Sequence, residues 1–201
     1  MPYLLKSVSY IFHPLFIPML GALYYFLVTP MANSFQQWAT IIFPLLILTI
    51  ITPIILYSIL KNMGLVSSIF TPNPKERKYP LYFNMIIYLV ILYRIIPLNY
   101  SNELHYFFIG LLIAAFSALL LLFIKIKASI HLMGMGSIVA YVIGLSIFFE
   151  INITFSIAVF TLLTGIVASS RLFMKAHSIG ELLIGFLIGF SAQLVVFKYW
   201  L

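Results

Sequence analysis

The chain has 201 residues, of which 64% are hydrophobic and 7% charged, with a formal net charge of +7 and a mean hydropathy of +1.16. A soluble globular domain carries charge on about a quarter of its residues, so this composition excludes one and predicts an all-α, polytopic transmembrane helix bundle. The absence of cysteine excludes disulfides, thiolate catalysis and cysteine metal centres.

In chain order, the first apolar run covers 11–28. Lys6 precedes it, Pro14 and Pro18 interrupt it and no small-residue cleavage pattern follows, so it reads as a retained segment and not a cleaved leader. Each proline removes a helix hydrogen bond, which leaves a kinked span and a re-entrant segment as alternatives. Further runs long enough to cross the hydrocarbon core are read at 38–60, 81–96, 104–124, 129–148, 153–169 and 178–197, giving six to seven spans. The 81–96 run is short and holds Asn84 and Arg94, with Arg94 expected to snorkel to the interface. In the last run, Gly185 and Gly189 predict a close helix-packing seam. The 61–80 connection alone is long, and it carries Gly64, Pro72, Pro74 and Pro80 with a run of charges. Residues 1–201 therefore form a single transmembrane domain.

The connections after the second, fourth and sixth spans are two crossings apart, so they share one side of the membrane. They hold Lys75, Arg77 and Lys78 in the first, Lys125, Lys127, Ser129 and His131 in the second, and Arg171, Lys175 and His177 in the third. Glu181, four residues after His177, shares its face on a helix that starts near the histidine. Charges at membrane depth are costly and mark function. Fixed cations, a hydroxyl and two helix N-termini make an anion site, and the planar fork of arginine suits phosphate. Two histidines beside it can divide the work of phosphoryl transfer, one as nucleophile and one as general acid. The basic balance thus points to lipid headgroups or a phosphorylated lipid as partners, and not to nucleic acid. His13 and His105 lack such companions and read as interfacial residues, while Lys61, Lys125, Lys127 and Lys175 read as headgroup-facing.

These residues resemble the type 2 phosphatidic acid phosphatase and haloperoxidase superfamily. Its third motif runs Ser-Arg, five residues, His, three residues, Asp, and Ser170, Arg171, His177 and Glu181 match that spacing with Glu for Asp. Its second motif, Pro-Ser-Gly-His, is met by Ala128-Ser129-Ile130-His131, which keeps the serine and histidine. Its first motif, a lysine six residues before Arg-Pro, is met only loosely by Lys75-Glu76-Arg77 and Pro80. The resemblance implies a phosphatase-like core over about 61–198 in a divergent bacterial-type member. It also implies hydrolysis of a phosphomonoester or diphosphate lipid, with no cofactor and no metal. His177 would attack phosphorus, Glu181 would hold its tautomer, and His131 would protonate the leaving oxygen. Arg171, Arg77, Ser129 and Lys75 would hold the phosphoryl oxygens. Ile130 in place of glycine removes a residue that takes positive φ cheaply.

Two arguments about sidedness oppose one another. The motif face carries Lys6, Lys61, Lys75, Arg77, Lys78, Lys125, Lys127, Arg171 and Lys175 against Arg94 and Lys198 on the other, which favours the cytoplasm. The resembling family works at the outer or lumenal face, and the expected location is a bacterial inner membrane with either side open. A non-catalytic relative that binds or moves a phosphorylated lipid is the alternative function. An ion or proton channel would need polar residues running through the spans, where few occur. The sequence does not set the oligomeric state.

Overall fold

The computed structural model describes residues 2–29, 35–67 and 74–201, without the side chains of residues 2–6, 35, 37, 74 and 75. Helix α1 (Pro2–Ile11) leads through a 3-10 turn (Pro14–Phe16) into α2 (Ile17–Val28). Helices α3 (Phe35–Leu46) and α4 (Thr52–Asn62) are joined by a π turn at Ile47–Ile51. Helix α5 (Pro74–Val90) ends in a second π turn at Ile91–Ile95, and α6 (Asn102–Phe123), α7 (Ile130–Phe148), α8 (Thr154–Phe173) and α9 (Ile179–Phe197) follow. The described residues form an all-α bundle, and six helical segments are long and apolar enough to cross a membrane. The chain is an integral membrane protein.

The sequence explains where these helices start and stop. Pro14 opens the 3-10 turn and Pro18 lies in the first turn of α2, positions where a missing N–H costs little. The prolines therefore separate α1 from α2 and do not kink a helix interior. Pro53 lies two residues past the first π turn; a proline ring would otherwise strike the carbonyl one turn back, and the wider turn relieves that clash. Serines cap three helices: Ser101, Ser129 and Ser178 accept from the backbone N–H groups of Leu104, Leu132 and Glu181. Lys125, Glu150 and Lys175 take φ of 61°, 52° and 50° after α6, α7 and α8. Each closes a pair of helix-ending bonds, such as Ala176 N–H to Arg171 O and Lys175 N–H to Leu172 O.

Of the expected spans, 81–96 falls on α5 and its π turn, which is not among the six apolar segments. Asn84, Arg94 and three tyrosines dilute it. It nevertheless runs the length of the bundle, because Arg77 reaches Ala128 O at one end (3.4 Å) and Ile96 O meets His105 Nδ1 at the other (2.7 Å). That places the starts of α5, α7 and α9 and the end of α8 at one level. Arg94 lies exposed near the opposite end, beside the Tyr93 ring.

The core is α7, with 78% of its span buried. It packs most closely on α9, where Gly185 abuts the Ser129 backbone, Gly189 abuts Met133 O and Gly136 abuts Phe186 O. Side chains there would hold the two backbones apart. Fully buried Phe107 stacks on Tyr141 with ring centroids 4.3 Å apart, joining α6 to the same core. Gly189→Ala should cost about 1–3 kcal/mol by overpacking. Gly165→Ala, where a Cβ meets nothing within 4 Å, should leave stability level or raise it by up to about 1 kcal/mol. Melting temperatures of both variants in detergent check the pair, and equal shifts would contradict the seam.

Candidate active site

Arg77, in the first turns of α5, and Arg171, in the last turn of α8, are both buried. With His131, one residue into α7, and His177, just before α9, they line a cavity of about 130 Å³. A water needs about 10–15 Å³, so the cavity has room for a phosphoryl group and the start of an organic chain. Among the described residues no Asp or Glu lines it. Much of the remaining lining, from α4 and α5, is apolar, including Pro53, Ile54, Leu56, Leu60 and Phe83. The cavity thus combines basic and apolar lining.

The His177 pair is the most defined element of the site. His177 Nδ1 lies 2.8 Å from Glu181 Oε2. Because an ionised carboxylate only accepts, Nδ1 carries the hydrogen and Nε2 keeps the lone pair. Glu181 also closes the capping box of α9, receiving Ser178 N–H while its own N–H meets Ser178 Oγ. The residue that orients the imidazole is therefore fixed by the helix start itself. Lys127 adds a second support: its Nζ donates to Ala176 O at 2.8 Å and lies 3.7 Å from Glu181 Oε2. The expectation that Lys127 faces headgroups is corrected by these bonds, which tie the α6–α7 connection to the α8–α9 connection. Lys125 and Lys175 are exposed, as expected.

Burial lowers the His177 pKa to about 4, helped by the Arg77, Lys127 and Arg171 charges and opposed by the Glu181 hydrogen bond. Burial also lowers the Arg77 guanidinium from its ordinary value, and Glu181 opposes that shift. Near neutral pH, His177 is thus an unprotonated ring beside cationic arginines.

The other sequence-predicted residues divide. Ser129 is fully buried and does not line the cavity; its hydroxyl caps α7 and its N–H donates to Glu181 O at 3.0 Å. Its observed bonds place the start of α7 against α9. Ile130 begins α7 without positive φ and lines the cavity, so the helix start there needs no glycine. Lys75 lies in the first turn of α5, with its side chain outside the described residues. His105 donates Nδ1–H to Ile96 O far from the cavity, a connection-holding role.

His13 departs from expectation. Assigned to the interface from sequence, it lines the cavity, with its ring 5.3 Å from that of His131. The signal was present: the start of the first span lies on the same side as the motif connections, and His13 follows Lys6 by two helical turns. Among the described residues no three His, Asp or Glu side chains are grouped to hold a metal ion. No protein-family model, curated protein or solved structure matches the chain.

His177 should stay neutral as pH falls until about 4, where an ordinary histidine protonates near 6.5. Since the unfolded chain takes up that proton first, stability present above about pH 6.5 should decline toward pH 4. Arg77→Met should raise the His177 midpoint by removing a nearby positive charge. Histidine ¹⁵N NMR titration in detergent checks both, and a wild-type midpoint at 6.5 would contradict the burial argument.

Proposed function

We propose that the protein is an integral-membrane phosphatase of a phosphomonoester or diphosphate lipid, working through a phosphohistidine. The observation that carries this reading is the Nδ1–H···Oε2 bond of 2.8 Å between His177 and Glu181, on a cavity with two buried arginines. That bond leaves His177 Nε2 as the lone-pair nitrogen, the form a nucleophile requires. The amphipathic cavity supports a lipid as the bearer of the phosphate. A bacterial inner membrane is the location proposed.

In the first step, His177 Nε2 donates its lone pair to phosphorus and the phosphorus–oxygen bond to the lipid breaks. His131, which takes up a second proton on Nδ1 once the phosphoryl anion is bound beside it, gives that proton to the departing oxygen, forming the lipid alcohol. In the second step, His131 takes a proton from water as the water oxygen attacks phosphorus. The phosphorus–nitrogen bond then breaks, inorganic phosphate leaves and both rings return to their starting forms. Arg77 and Arg171 hold the phosphoryl oxygens and stabilise charge that grows in the transition state. Glu181 stabilises the positive charge on His177 as the bond to phosphorus forms.

Purified protein in detergent with EDTA should release phosphate from phosphatidic acid, phosphatidylglycerophosphate or an isoprenoid diphosphate. His177→Ala should lower release about 10³-fold or more. A requirement for added divalent metal, or activity that survives the substitution, would reject the mechanism. Wild-type binding without turnover, lost in Arg171→Ala but kept in His177→Ala, would instead identify a phospholipid-binding or lipid-transporting protein.

A further inference from the structure

The motif-bearing core begins near residue 61, yet one wall of the cavity comes from the corner between α1 and α2. His13 lines that wall, with its ring edge-on to His131 at an interplanar angle of 83°. Its tautomer is set locally. Leu15 N–H donates to His13 Nδ1 at 3.3 Å, capping the 3-10 turn. A neutral ring that accepts on Nδ1 bears its hydrogen on Nε2.

The same corner fixes His131. Its Nε2 lies 3.2 Å from Ser9 O, a carbonyl that only accepts, so Nε2–H donates and Nδ1 is left for chemistry. Ser9 Oγ meets Ser170 Oγ at 2.6 Å, which anchors the corner beside Arg171. Pro14 adds rigidity, because the residue before a proline is confined to extended conformations; His13 has φ −64° and ψ 141°. Capping alone does not account for a histidine, since Ser, Asp or Asn caps a turn better. What an imidazole adds is reach: a second nitrogen on the far side of the ring.

We propose that His13 is a substrate-contacting residue, whose Nε2–H donates to a phosphoryl group seated between Arg77 and Arg171. The inference rests on the cavity being a phosphate site, as in the phosphatase reading. A neutral donor suits the position: with two guanidiniums already on the wall, it adds a hydrogen bond without a third fixed cation. The active site thereby includes the N-terminal corner as well as the motif-bearing core.

Two variants separate contact from capping. His13→Asn keeps an oxygen near the Nδ1 position and can still cap the turn, but removes the far nitrogen. His13→Gln returns an amide N–H near the Nε2 position. Orthophosphate binding, followed by ³¹P NMR in detergent with EDTA, is measured beside phosphate release from phosphatidic acid. His13→Asn should weaken orthophosphate binding about tenfold and lower kcat/KM about 10²-fold, with an unchanged melting temperature and partial recovery in His13→Gln. Wild-type orthophosphate affinity and turnover in His13→Asn would overturn the contact. Losses that track a lowered melting temperature in both variants would also overturn it, leaving His13 as a cap. A wild-type protein that binds orthophosphate through His13 yet releases none sinks the phosphatase reading and keeps this one. A wild-type protein that binds no orthophosphate sinks both.

Discussion

One backbone hydrogen bond sets the level of the whole site: Ser129 N–H to Glu181 O, 3.0 Å, between the start of α7 and the first turn of α9. It can form only because α7 and α9 touch backbone to backbone, with Gly185 against Ser129 and Gly189 against Met133. Any larger residue at these glycines would separate the helices and break the register. Two residues beyond Ser129 stands His131, and four before Glu181 stands His177. A packing seam inside the bundle therefore determines that two imidazoles, far apart in sequence, line one cavity.

The electrostatics of that cavity are lopsided. Buried charge is costly unless it is compensated, yet Arg77 and Arg171 share a wall with no acidic lining residue among those described. The nearest carboxylate, Glu181, is engaged by His177 and by Lys127. It holds the tautomer of His177 and lies near Arg77 without lining the cavity. Such an arrangement lowers the cost of bringing a dianion out of water, because the protein has already met the cost of gathering the positive charge. The α4 side chains that line the same cavity, Pro53, Ile54, Leu56 and Leu60 among them, suit hydrocarbon.

Much of this was legible in the sequence, and the parts that were not share a cause. The Arg171, His177 and Glu181 spacing was readable because it lies across one helix start, where position along the chain fixes position in space. The convergence of Arg77, His131 and His177 followed from counting crossings, which needs only hydropathy. Six helices, without α5, are long and apolar enough to cross a membrane, and the three connections still meet because α5 runs along the bundle. Ser129, Lys127 and His13 were misjudged or incompletely judged because their roles are set by contacts between elements. A serine two residues before a histidine reads equally as a ligand or a cap, and only packing against Glu181 O and Gly185 distinguishes them. Lys127 acquires its partners from the α8–α9 connection, and His13 acquires His131 from the fold of a proline-rich corner. Lys75, the remaining predicted phosphate ligand, has a side chain outside the described residues.

The interior of the bundle bears on whether the same residues could serve a conduction path. Between His131 at one end and Tyr141 nearer the other, α7 presents Met135, Ile138 and Ala140 fully buried. The polar side chains at that depth tie helices together: Ser137 bonds Met133 O and Gly189 O, and Gln193 donates to Phe107 O. A separate polar group, Tyr25, Ser101 and Glu103, lies at the far end and is bonded within itself, with Ser101 Oγ 2.7 Å from Glu103 Oε2. Among the described residues the bonds of the two polar groups do not join, and a second cavity of about 30 Å³, lined by Asn84, Tyr88 and Ser137 among apolar side chains, lies beside α7; a continuous path for protons would need hydrogen-bonded neighbours within about 3 Å. A ligand that engages the buried arginines therefore meets them in the cavity at the motif end.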